Sequence, residues 1–371
     1  MHALMSSIVT ISTFVISILY FFSIRPRILR KEALEQLNFD ELRKKFNISV
    51  IIPARNEEVN IGKILTALLN QSVKVNEIIV VNDNSSDKTA EIVEHFSKLD
   101  NRVRLINLLQ EPPDGWIGKS WALWNGVLNS SGDLLILFDA DVEPNKETIG
   151  VLLDKYDKYG GMISVWPYQR FERFYEHLAL AANLMSAYGS KNFGFLNTKP
   201  AGVFGPVIVT SRKDYFETGG HEVIKDSVLD DFKIGQLYLK KGKSVTNFLG
   251  KDVIKFRMYP NGLGQLFEGY TKNMSSGAMT GGLWNFVISF VWMAGIYSSI
   301  FTMFDSLWRF GIYLAFTFVI YILSKPIGNY AWYDYFLYPV HFLFFLLVFV
   351  VSIFKTLFLR RVSWRGRAIR V

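Results

Sequence analysis

The 371-residue sequence contains no cysteine. The chain therefore forms no disulfide and no thiolate metal site, although this absence does not identify the compartment in which the protein works. Zinc-finger spacing, a ribonucleoprotein signature and an isolated basic helix are also missing, so nucleic acid is not an expected partner. The net charge of +8 must serve another purpose.

What is abundant is apolar surface. Hydrophobic residues make up 50% of the chain and aromatic residues 15%, which is too apolar for an ordinary soluble domain. The apolar residues cluster at the two ends, and charged and glycine-rich segments fill the middle. This distribution predicts a soluble domain flanked by membrane segments, with the lipid bilayer as a partner. Basic residues beside membrane segments attract anionic lipid, which accounts for the positive charge.

The first apolar run extends from Leu4 to Phe22 and is long enough to cross a hydrocarbon core of about 30 Å as a helix. No basic region precedes it, so residues 1–30 are predicted to be a membrane anchor rather than a cleaved signal peptide. Four basic residues follow the run: Arg25, Arg27, Arg30 and Lys31. By the positive-inside rule this cluster, and the domain after it, should be cytoplasmic.

The second apolar region covers residues 283–360 and contains three stretches. They run from Leu283 to Phe304, Leu307 to Leu323 and Tyr335 to Leu359. Three crossings would place the basic tail, residues 361–371, outside the cell, whereas its arginines favour the inside. One stretch is then re-entrant or interfacial, and the middle one is the shortest and carries Arg309. The prediction is a multi-pass protein of the cell membrane whose number of crossings stays open.

Residues 45–280 between these regions alternate strand and helix patterns. The run Ile48 to Ile52 reads as a strand that stops at Pro53, and "NIGKILTALLNQ" after it has helical spacing. A second strand, Ile78 to Val81, is followed by a polar loop and an amphipathic helix capped by Ser or Asp. This alternation predicts an α/β domain with a mostly parallel sheet flanked by helices, whose strands are buried on both faces.

Three predicted strands end in polar loops. The loops are Pro53 to Glu58, Asn82 to Asp87, and Asp139 to Glu143, the last within "LLILFDADVEP". Ligands of open parallel sheets lie beyond the carboxyl ends of the strands. Asp139 and Asp141 there are hard oxygen ligands, suited to Mg²⁺ or Mn²⁺ that takes its other ligands from water and a substrate diphosphate. A lone Asp-Xaa-Asp is otherwise a turn or a helix cap.

Four motifs in order, "ISVIIPARNEE", "VVNDNSSDKT", "FDADV" and "LDDFKIG", resemble glycosyltransferase family 2, which has a GT-A nucleotide-sugar fold. The resemblance spans roughly Ile48 to Met274. Within the family it is closest to the membrane-bound enzymes that glycosylate the carotenoid acid 4,4'-diaponeurosporenoate in staphyloxanthin-type synthesis. The segments that carry this closer match are "PPDGWIGKSWA", "VWPYQRFERFYEHLALAANLM", "FGPVIVTSRKDYFETGGH", "KFRMYPNG", "EGYTKNMSSGA" and "SWRGR".

The resemblance implies a donor site for a UDP-sugar. Its nucleotide-sugar side comprises Pro53, Ala54, Arg55, Glu57, Asp83, Lys119 and Asp139. Within this set Asp83 would read the uracil or ribose, and Lys119 would lie near the nucleotide sugar rather than being a solvated lysine in a glycine-rich loop. Asp139 and Asp141 match the metal-binding pair, with Asp141 the direct ligand and Asp139 nearer the ribose.

The resemblance also implies a catalytic base, Asp231 of "LDDFKIG", with its neighbour Asp230 as a competitor for the role. A departing diphosphate develops negative charge, and Arg257 and Lys272 are candidate helpers of the metal. "EGYTKN" stands where the family usually has an arginine-tryptophan motif, so Lys272 could equally be a basic residue at the membrane surface. Attack opposite the leaving group inverts the anomeric centre.

On the acceptor side, Gly219, Gly220 and His221 occupy a tight turn. The resemblance implies that this segment lines the acceptor pocket, although a lone histidine is more often structural. "FERFYEHLALAANLMSAYG" fits either a helix at the bilayer surface or a core helix.

The predicted reaction moves a sugar, expected to be glucose, onto the carboxylate of a C30 carotenoid acid and gives a glycosyl ester. Such an acid has a pKa near 4 to 5 and is already ionised at neutral pH, so Asp231 would position it rather than deprotonate it. Diacylglycerol, a hopanoid or polyprenyl phosphate are alternative acceptors, and a non-catalytic membrane protein that binds nucleotide sugars is the rival class. Other carotenoid-pathway enzymes are candidate partners.

Overall fold

The computed structural model describes residues 2–29, 39–194, 198–278, 282–356, 361–364 and 367–370. Arg30 and Lys31 of the predicted anchor cluster lie outside these ranges, as do residues 365, 366 and 371 of the basic tail.

Eight strands form the main sheet and three form a smaller one. In chain order these strands are β1 (Arg27–Ile28), β2 (Ile48–Ala54), β3 (Glu77–Asp83), β4 (Val103–Leu108), β5 (Leu134–Phe138), β6 (Val142–Pro144), β7 (Met162–Trp166), β8 (Tyr168–Gln169), β9 (Val207–Ser211), β10 (Val245–Leu249) and β11 (Ile254–Phe256). The main sheet has the order β1-β10-β7-β9-β5-β2-β3-β4, and the smaller one has the order β6-β11-β8. A short hairpin, β12 (Arg361–Trp364) and β13 (Arg367–Arg370), follows near the C-terminus.

Helices cover both faces of the main sheet and form the two apolar ends. They are α1 (His2–Ser23), α2 (Phe39–Lys45), α3 (Ile61–Leu69), α4 (Thr89–Leu99), α5 (Gly118–Leu128), α6 (Thr148–Tyr159), α7 (Leu180–Leu184), α8 (Arg212–Thr218), α9 (Gly220–Val223), α10 (Asp230–Lys240), α11 (Leu263–Ala278), α12 (Leu283–Thr302), α13 (Leu307–Ser324), α14 (Trp332–Phe336) and α15 (Tyr338–Phe354). A 3₁₀ turn, Phe174–Ala179, precedes α7, and a π-turn, Met185–Gly189, follows it.

The main sheet is mostly parallel, which confirms the predicted fold class. Within it, β9 runs antiparallel to both of its neighbours, and the other pairings are parallel. Strands β3 and β5 are buried along their whole length, as expected for a sheet covered on both faces. The prediction that β2 stops at Pro53 is wrong, because Pro53 and Ala54 still pair with β3. Pairing with β5 ends at Ile51, so the missing N–H of Pro53 interrupts no ladder on that side.

The loops after β2 and β3 are locked together. Asn56 and Asn84 both have positive φ angles, 53° and 50°, a conformation that asparagine tolerates better than most residues. The backbone N–H of Asn56 donates to the Ser85 hydroxyl over 3.0 Å, and the Asn56 side-chain oxygen accepts from the Ser86 N–H over 2.9 Å. Asp87 accepts hydrogen bonds from Thr89, the first residue of α4. The predicted Ser or Asp cap is wrong, because the cap residue is Lys88 and its side chain makes no capping hydrogen bond. The two loops therefore form one rigid edge of the sheet.

The apolar ends of the chain meet in a second core. Helix α1 packs against α12, where the Thr10 and Ser298 hydroxyls are 2.7 Å apart and Tyr20 donates to Asn285. By length and composition α12 and α13 are long and apolar enough to cross a membrane, and the apolar α15 is shorter at 17 residues. These two helices suggest membrane association. The number of crossings and the side of the tail stay predictions.

The aromatic segment before β9 is a core element rather than a surface helix. All five residues of α7 are buried, and they pack with α15 and with the second core. Its buried Asn183 accepts from the Tyr270 hydroxyl of α11 over 2.7 Å. The start of the segment is exposed at Glu172, Arg173 and Phe174, and Phe174 stacks on Tyr333. Of the two predicted alternatives, the structure shows the core helix.

Candidate active site

One cavity of about 1470 Å³ lies at the carboxyl ends of β2, β3 and β5 and continues between the C-terminal helices. It brings together the residues that the sequence assigns to the nucleotide sugar, the metal and the base. They are Pro53, Ala54, Arg55, Glu57, Asp83, Lys119, Asp139, Asp141, Asp231, Arg257 and Lys272, together with the competitor Asp230. The turn of Gly219, Gly220 and His221 does not line it.

The nucleotide end of the cavity is built by the two locked loops. Asp83, the last residue of β3, is only 4% exposed, and its backbone carbonyl accepts from the Arg55 guanidinium over 2.8 Å. The backbone N–H of Glu57 donates to the Thr89 hydroxyl over 2.8 Å, and the Glu57 carboxylate accepts from the Asn60 amide over 3.0 Å. The polar side chains here are thus fixed before any ligand arrives.

The centre of the cavity holds a charge cluster. Lys119, at the start of α5, places its ammonium 2.7 Å from the Asp139 carboxylate. Burial alone would lower the pKa of Lys119, but the carboxylates of Asp139, Asp230 and Asp231 outweigh it and raise that pKa. Lys119 is therefore charged throughout the physiological range, and it is not a solvated loop lysine.

Asp231 lies at the start of α10, and backbone groups hold its carboxylate. One carboxylate oxygen of Asp231 accepts a hydrogen bond from the backbone N–H of Phe232 over 2.8 Å. The other oxygen accepts one from the backbone N–H of Gly205 over 3.1 Å. A β-carbon at Gly205 would lie 2.9 Å from the Asp231 carboxylate, so this approach requires glycine. Burial raises the pKa of Asp231 to about 6, and Asp230 adds to the shift while Lys119 opposes it. Asp231 can thus change its protonation state near neutral pH.

The two candidate helper cations have different settings. Arg257 is held by the carboxylates of Glu172, 2.5 Å away, and Glu176, 2.6 Å away. The buried Glu176 also accepts from the backbone N–H groups of Glu172 and Arg173. Burial lowers the pKa of Lys272 on α11 to about 8, although Asp230 and Asp231 oppose that shift. Sequence reasoning missed the two glutamates, whose one-turn spacing in "FERFYEHL" was the available signal.

The acceptor-side turn has a local structural role. Gly219 ends α8 with a φ of +90°, and a β-carbon at Gly220 would overlap the ring of Tyr215. His221 is buried, its Nδ1 lies 2.8 Å from the Tyr215 hydroxyl, and burial lowers its pKa to about 4. His221 therefore contacts Tyr215 and does not line the cavity. Its contact with an acceptor stays a prediction.

The donor set at the end of β5 fits a magnesium or manganese ion. Asp139 and Asp141 line the cavity and offer carboxylate oxygens, the ligands that these hard cations prefer. Over the described ranges, no group of three or more His, Asp or Glu side chains is placed to hold a metal alone. A cation here would complete its shell with water and diphosphate oxygens, as magnesium commonly does.

The far end of the cavity is apolar. It passes between α11, α12 and α15 and reaches side chains that the sequence analysis did not single out. They are Met274, Phe286, Phe290, Met293, Ala294, Tyr297, Phe345, Leu346 and Phe349. We call this part the apolar arm. Helix α12, which lines the arm, also carries exposed apolar side chains such as Leu283 and Trp284.

Comparison with known proteins agrees with this arrangement. The profile described as glycosyl transferase family 2 matches residues 49–218. The 4,4'-diaponeurosporenoate glycosyltransferases of Staphylococcus aureus strains USA300 and MRSA252 are each 32% identical over 335 residues, which is 86% of this chain and 87% of theirs. The solved structure of the mannosyltransferase PcManGT from Pyrobaculum calidifontis, in complex with GDP-Man and Mn²⁺, aligns over 95% of this chain and 98% of its own with a TM-score of 0.57. At 15% identity this likeness supports the fold alone.

Proposed function

The chain belongs to glycosyltransferase family 2, and we propose that it is an inverting hexosyltransferase that moves glucose from UDP-glucose to the carboxylate of the C30 carotenoid acid 4,4'-diaponeurosporenoate. One observation carries the proposal. A single cavity joins the polar strand ends to an apolar arm, so a polar donor and an apolar acceptor can meet in it. The relatives' named substrate is an acid of this kind.

The donor lies at the strand ends. Pro53, Ala54, Arg55 and Glu57 line the nucleotide, and Asp83 at the end of β3 contacts its uracil or ribose. Lys119 and Asp139 lie beside the sugar and the ribose. Asp139 and Asp141 would hold Mg²⁺ or Mn²⁺, and such an ion stabilises the charge of the departing diphosphate. Arg257, positioned by Glu172 and Glu176, adds a fixed positive charge on the opposite wall.

The transfer needs no proton movement when the acceptor is a carboxylate. A carboxylate oxygen forms a bond to the anomeric carbon as the bond from that carbon to the diphosphate breaks, and UDP leaves with the electron pair. Attack from the face opposite UDP inverts an α-linked sugar to a β-linked ester. Asp231 orients the acceptor here, and the turn of Gly219, Gly220 and His221 supports the wall behind it.

A second acceptor class has one observation in its favour. A general base works best when its pKa lies near the operating pH, and the pKa of Asp231 is raised to about 6. An alcohol such as diacylglycerol would lose its proton to Asp231 during attack. The two acceptor classes therefore make opposite demands on this one carboxylate.

The protein would work in the cell membrane with its catalytic domain on the cytoplasmic side, where UDP-sugars are made. Helices α12 and α13 are apolar enough to span the bilayer, and α12 also lines the apolar arm, together with α11 and α15. A carotenoid dissolved in the bilayer can then reach the arm without crossing water. Enzymes that make or modify the carotenoid acid are expected neighbours in the same membrane.

The test is hexose transfer by membranes that contain the full chain. With UDP-glucose, Mg²⁺ or Mn²⁺ and the C30 acid, we expect UDP release that depends on the acid. An Asp141→Asn variant serves as the inactive control. UDP release that does not depend on any acceptor would contradict the proposal. Transfer from GDP-mannose in preference to UDP-glucose would contradict the proposed donor.

A further inference from the structure

The boundary between the polar cavity and the apolar arm is formed in part by α11. Six of its residues line the cavity, namely Gln265, Gly269, Tyr270, Lys272, Met274 and Gly277. Tyr270 donates a hydrogen bond to the buried Asn183 of α7, and the helix packs along α15, so two other helices hold this wall. Lys272 is the cationic member of the wall.

An anionic acceptor meets an electrostatic obstacle at this boundary. To reach the sugar it must approach the carboxylates of Asp230 and Asp231, and like charges at short range in a buried site repel strongly. Lys272 lies within electrostatic range of both aspartates, because both oppose the lowering of its pKa. A cation at this place offsets the repulsion for an acid and does nothing comparable for an alcohol.

Two other cations of the cavity, Lys119 and Arg257, have carboxylate partners that hold them in positions suited to donor binding. Lys119 is held 2.7 Å from Asp139 at the strand end, and Arg257 is held by Glu172 and Glu176. Lys272 instead shares its helix with Met274, which lines the apolar arm. An acid whose chain fills the arm would present its carboxylate at the inner end, where Lys272 lies.

We propose that Lys272 binds the acceptor's carboxylate and thereby selects long apolar acids over neutral alcohols of the same shape. The inference rests on the proposed function, since it concerns the acceptor of that reaction. Under this proposal Lys272 acts on the acceptor, and not on the diphosphate of the donor. Charge-assisted hydrogen bonds from the ammonium to a carboxylate would supply both affinity and orientation.

The experiment compares Lys272→Met with the wild type on two acceptors, the C30 carotenoid acid and the corresponding C30 alcohol, at saturating UDP-glucose. We expect kcat/KM for the acid to fall by at least about 30-fold, because a buried charged hydrogen bond loses its partner. The alcohol should change by less than about threefold, and the KM for UDP-glucose should stay as it is. Lys272→Arg should restore part of the preference for the acid. Lys63→Met, on the exposed side of α3, is the matched control and should change neither acceptor.

Three results would overturn the inference. An equal loss on acid and alcohol would show a structural role for Lys272. A raised KM for UDP-glucose with an unchanged acceptor ratio would assign Lys272 to the donor. A wild-type protein that glycosylates neither carotenoid would remove the proposed function, and the inference with it. That last failure is recognised in the wild type before any variant is compared.

Discussion

The ammonium group of Lys119 lies 2.7 Å from the carboxylate of Asp139, so the first acid of "FDADV" already has a fixed cation beside it. The ammonium group would compete with a metal ion for the oxygens of Asp139. We predict that Asp141 is the direct ligand and that Asp139 lies nearer the ribose. The two acids of the motif would then have different roles.

Asp141→Asn should therefore abolish metal-dependent turnover more completely than Asp139→Asn. We expect a loss of about 100-fold or more for Asp141→Asn, from the loss of charge stabilisation on the diphosphate. Initial rates at several Mn²⁺ concentrations, and in EDTA, measure this. Asp154→Asn on α6, far from the cavity, is the control. Full activity of the wild type in EDTA would show that no cation is needed.

Lys119→Met should weaken donor binding. The substitution removes a cation that three carboxylates hold in its charged state, and it leaves Asp139 without its partner. We expect the Kd of UDP-glucose to rise by about tenfold or more, less than for a fully buried charged pair, because both side chains are partly exposed. Isothermal titration of UDP-glucose onto the detergent-purified protein measures it. An unchanged Kd would show that Lys119 has no role in donor binding and behaves as a solvated loop lysine.

Asp231→Asn should separate the two acceptor classes. The carotenoid acid is already ionised at neutral pH, so we expect this variant to keep measurable transfer to it. Transfer to an alcohol should fall by about 100-fold or more, since no base takes the hydroxyl proton. For the wild type acting on an alcohol, the rate should fall as the pH drops through about 6, where Asp231 becomes protonated. Loss of transfer to the acid below detection, in a folded variant that binds UDP, would contradict the role as positioner.

The same substitution should affect stability in a pH-dependent way. The folded-state pKa of Asp231, about 6, lies above the ordinary value of 3.8 for an aspartate in water. Its contribution is therefore fully present below about pH 4 and is lost as the pH rises through 6. Replacing Asp231 by Asn removes that loss but also one hydrogen-bond acceptor, so we expect a net gain of about 1–2 kcal/mol at pH 8. Thermal unfolding at pH 8 and pH 4 measures it, and a gain that is larger at pH 4 would reverse the sign of the argument.

The strand ends could be predicted from the sequence because parallel strands bring their carboxyl-terminal loops to one edge. Asp83 ends β3, and Asp139 follows β5. These buried strands flank β2 in the sheet and run parallel to it, so the convergence of the two acids needed no tertiary information. The pairing of Arg257 with Glu172 and Glu176 could not be predicted, because it joins segments about eighty positions apart. The burial of His221 against Tyr215 could not be predicted either, because the sequence around a histidine beside two glycines does not show whether its side chain faces a cavity or the core.

The apolar arm was the largest feature beyond reach of the sequence. Each of α11, α12 and α15 shows apolar spacing, but which faces meet and leave a gap depends on their packing. Periodicity alone does not distinguish a side chain that lines a cavity from one that faces lipid. Ala294 is an example, since its neighbours Met293 and Gly295 on α12 are buried, whereas Ala294 is itself exposed and lines the arm.

Filling the arm should block the acceptor and spare the donor. Ala294→Trp adds a large ring where the cavity passes along α12, so we expect the KM for the carotenoid acid to rise by about tenfold or more while the Kd for UDP stays unchanged. Steady-state rates against acid concentration, together with UDP binding, measure both. Leu314→Trp on the exposed face of α13 adds similar bulk outside the cavity and should alter neither quantity. An equal effect of the two substitutions would show that the arm does not hold the acceptor.

The most direct test of the central claim is mass spectrometry of the lipid extract from membranes that contain this protein, after incubation with UDP-glucose, a divalent cation, the C30 carotenoid acid and diacylglycerol. The account predicts a hexose added to the carotenoid and released by mild alkali, as a glycosyl ester should be. A hexose found only on diacylglycerol would contradict it, and would give Asp231 the role of an obligatory base.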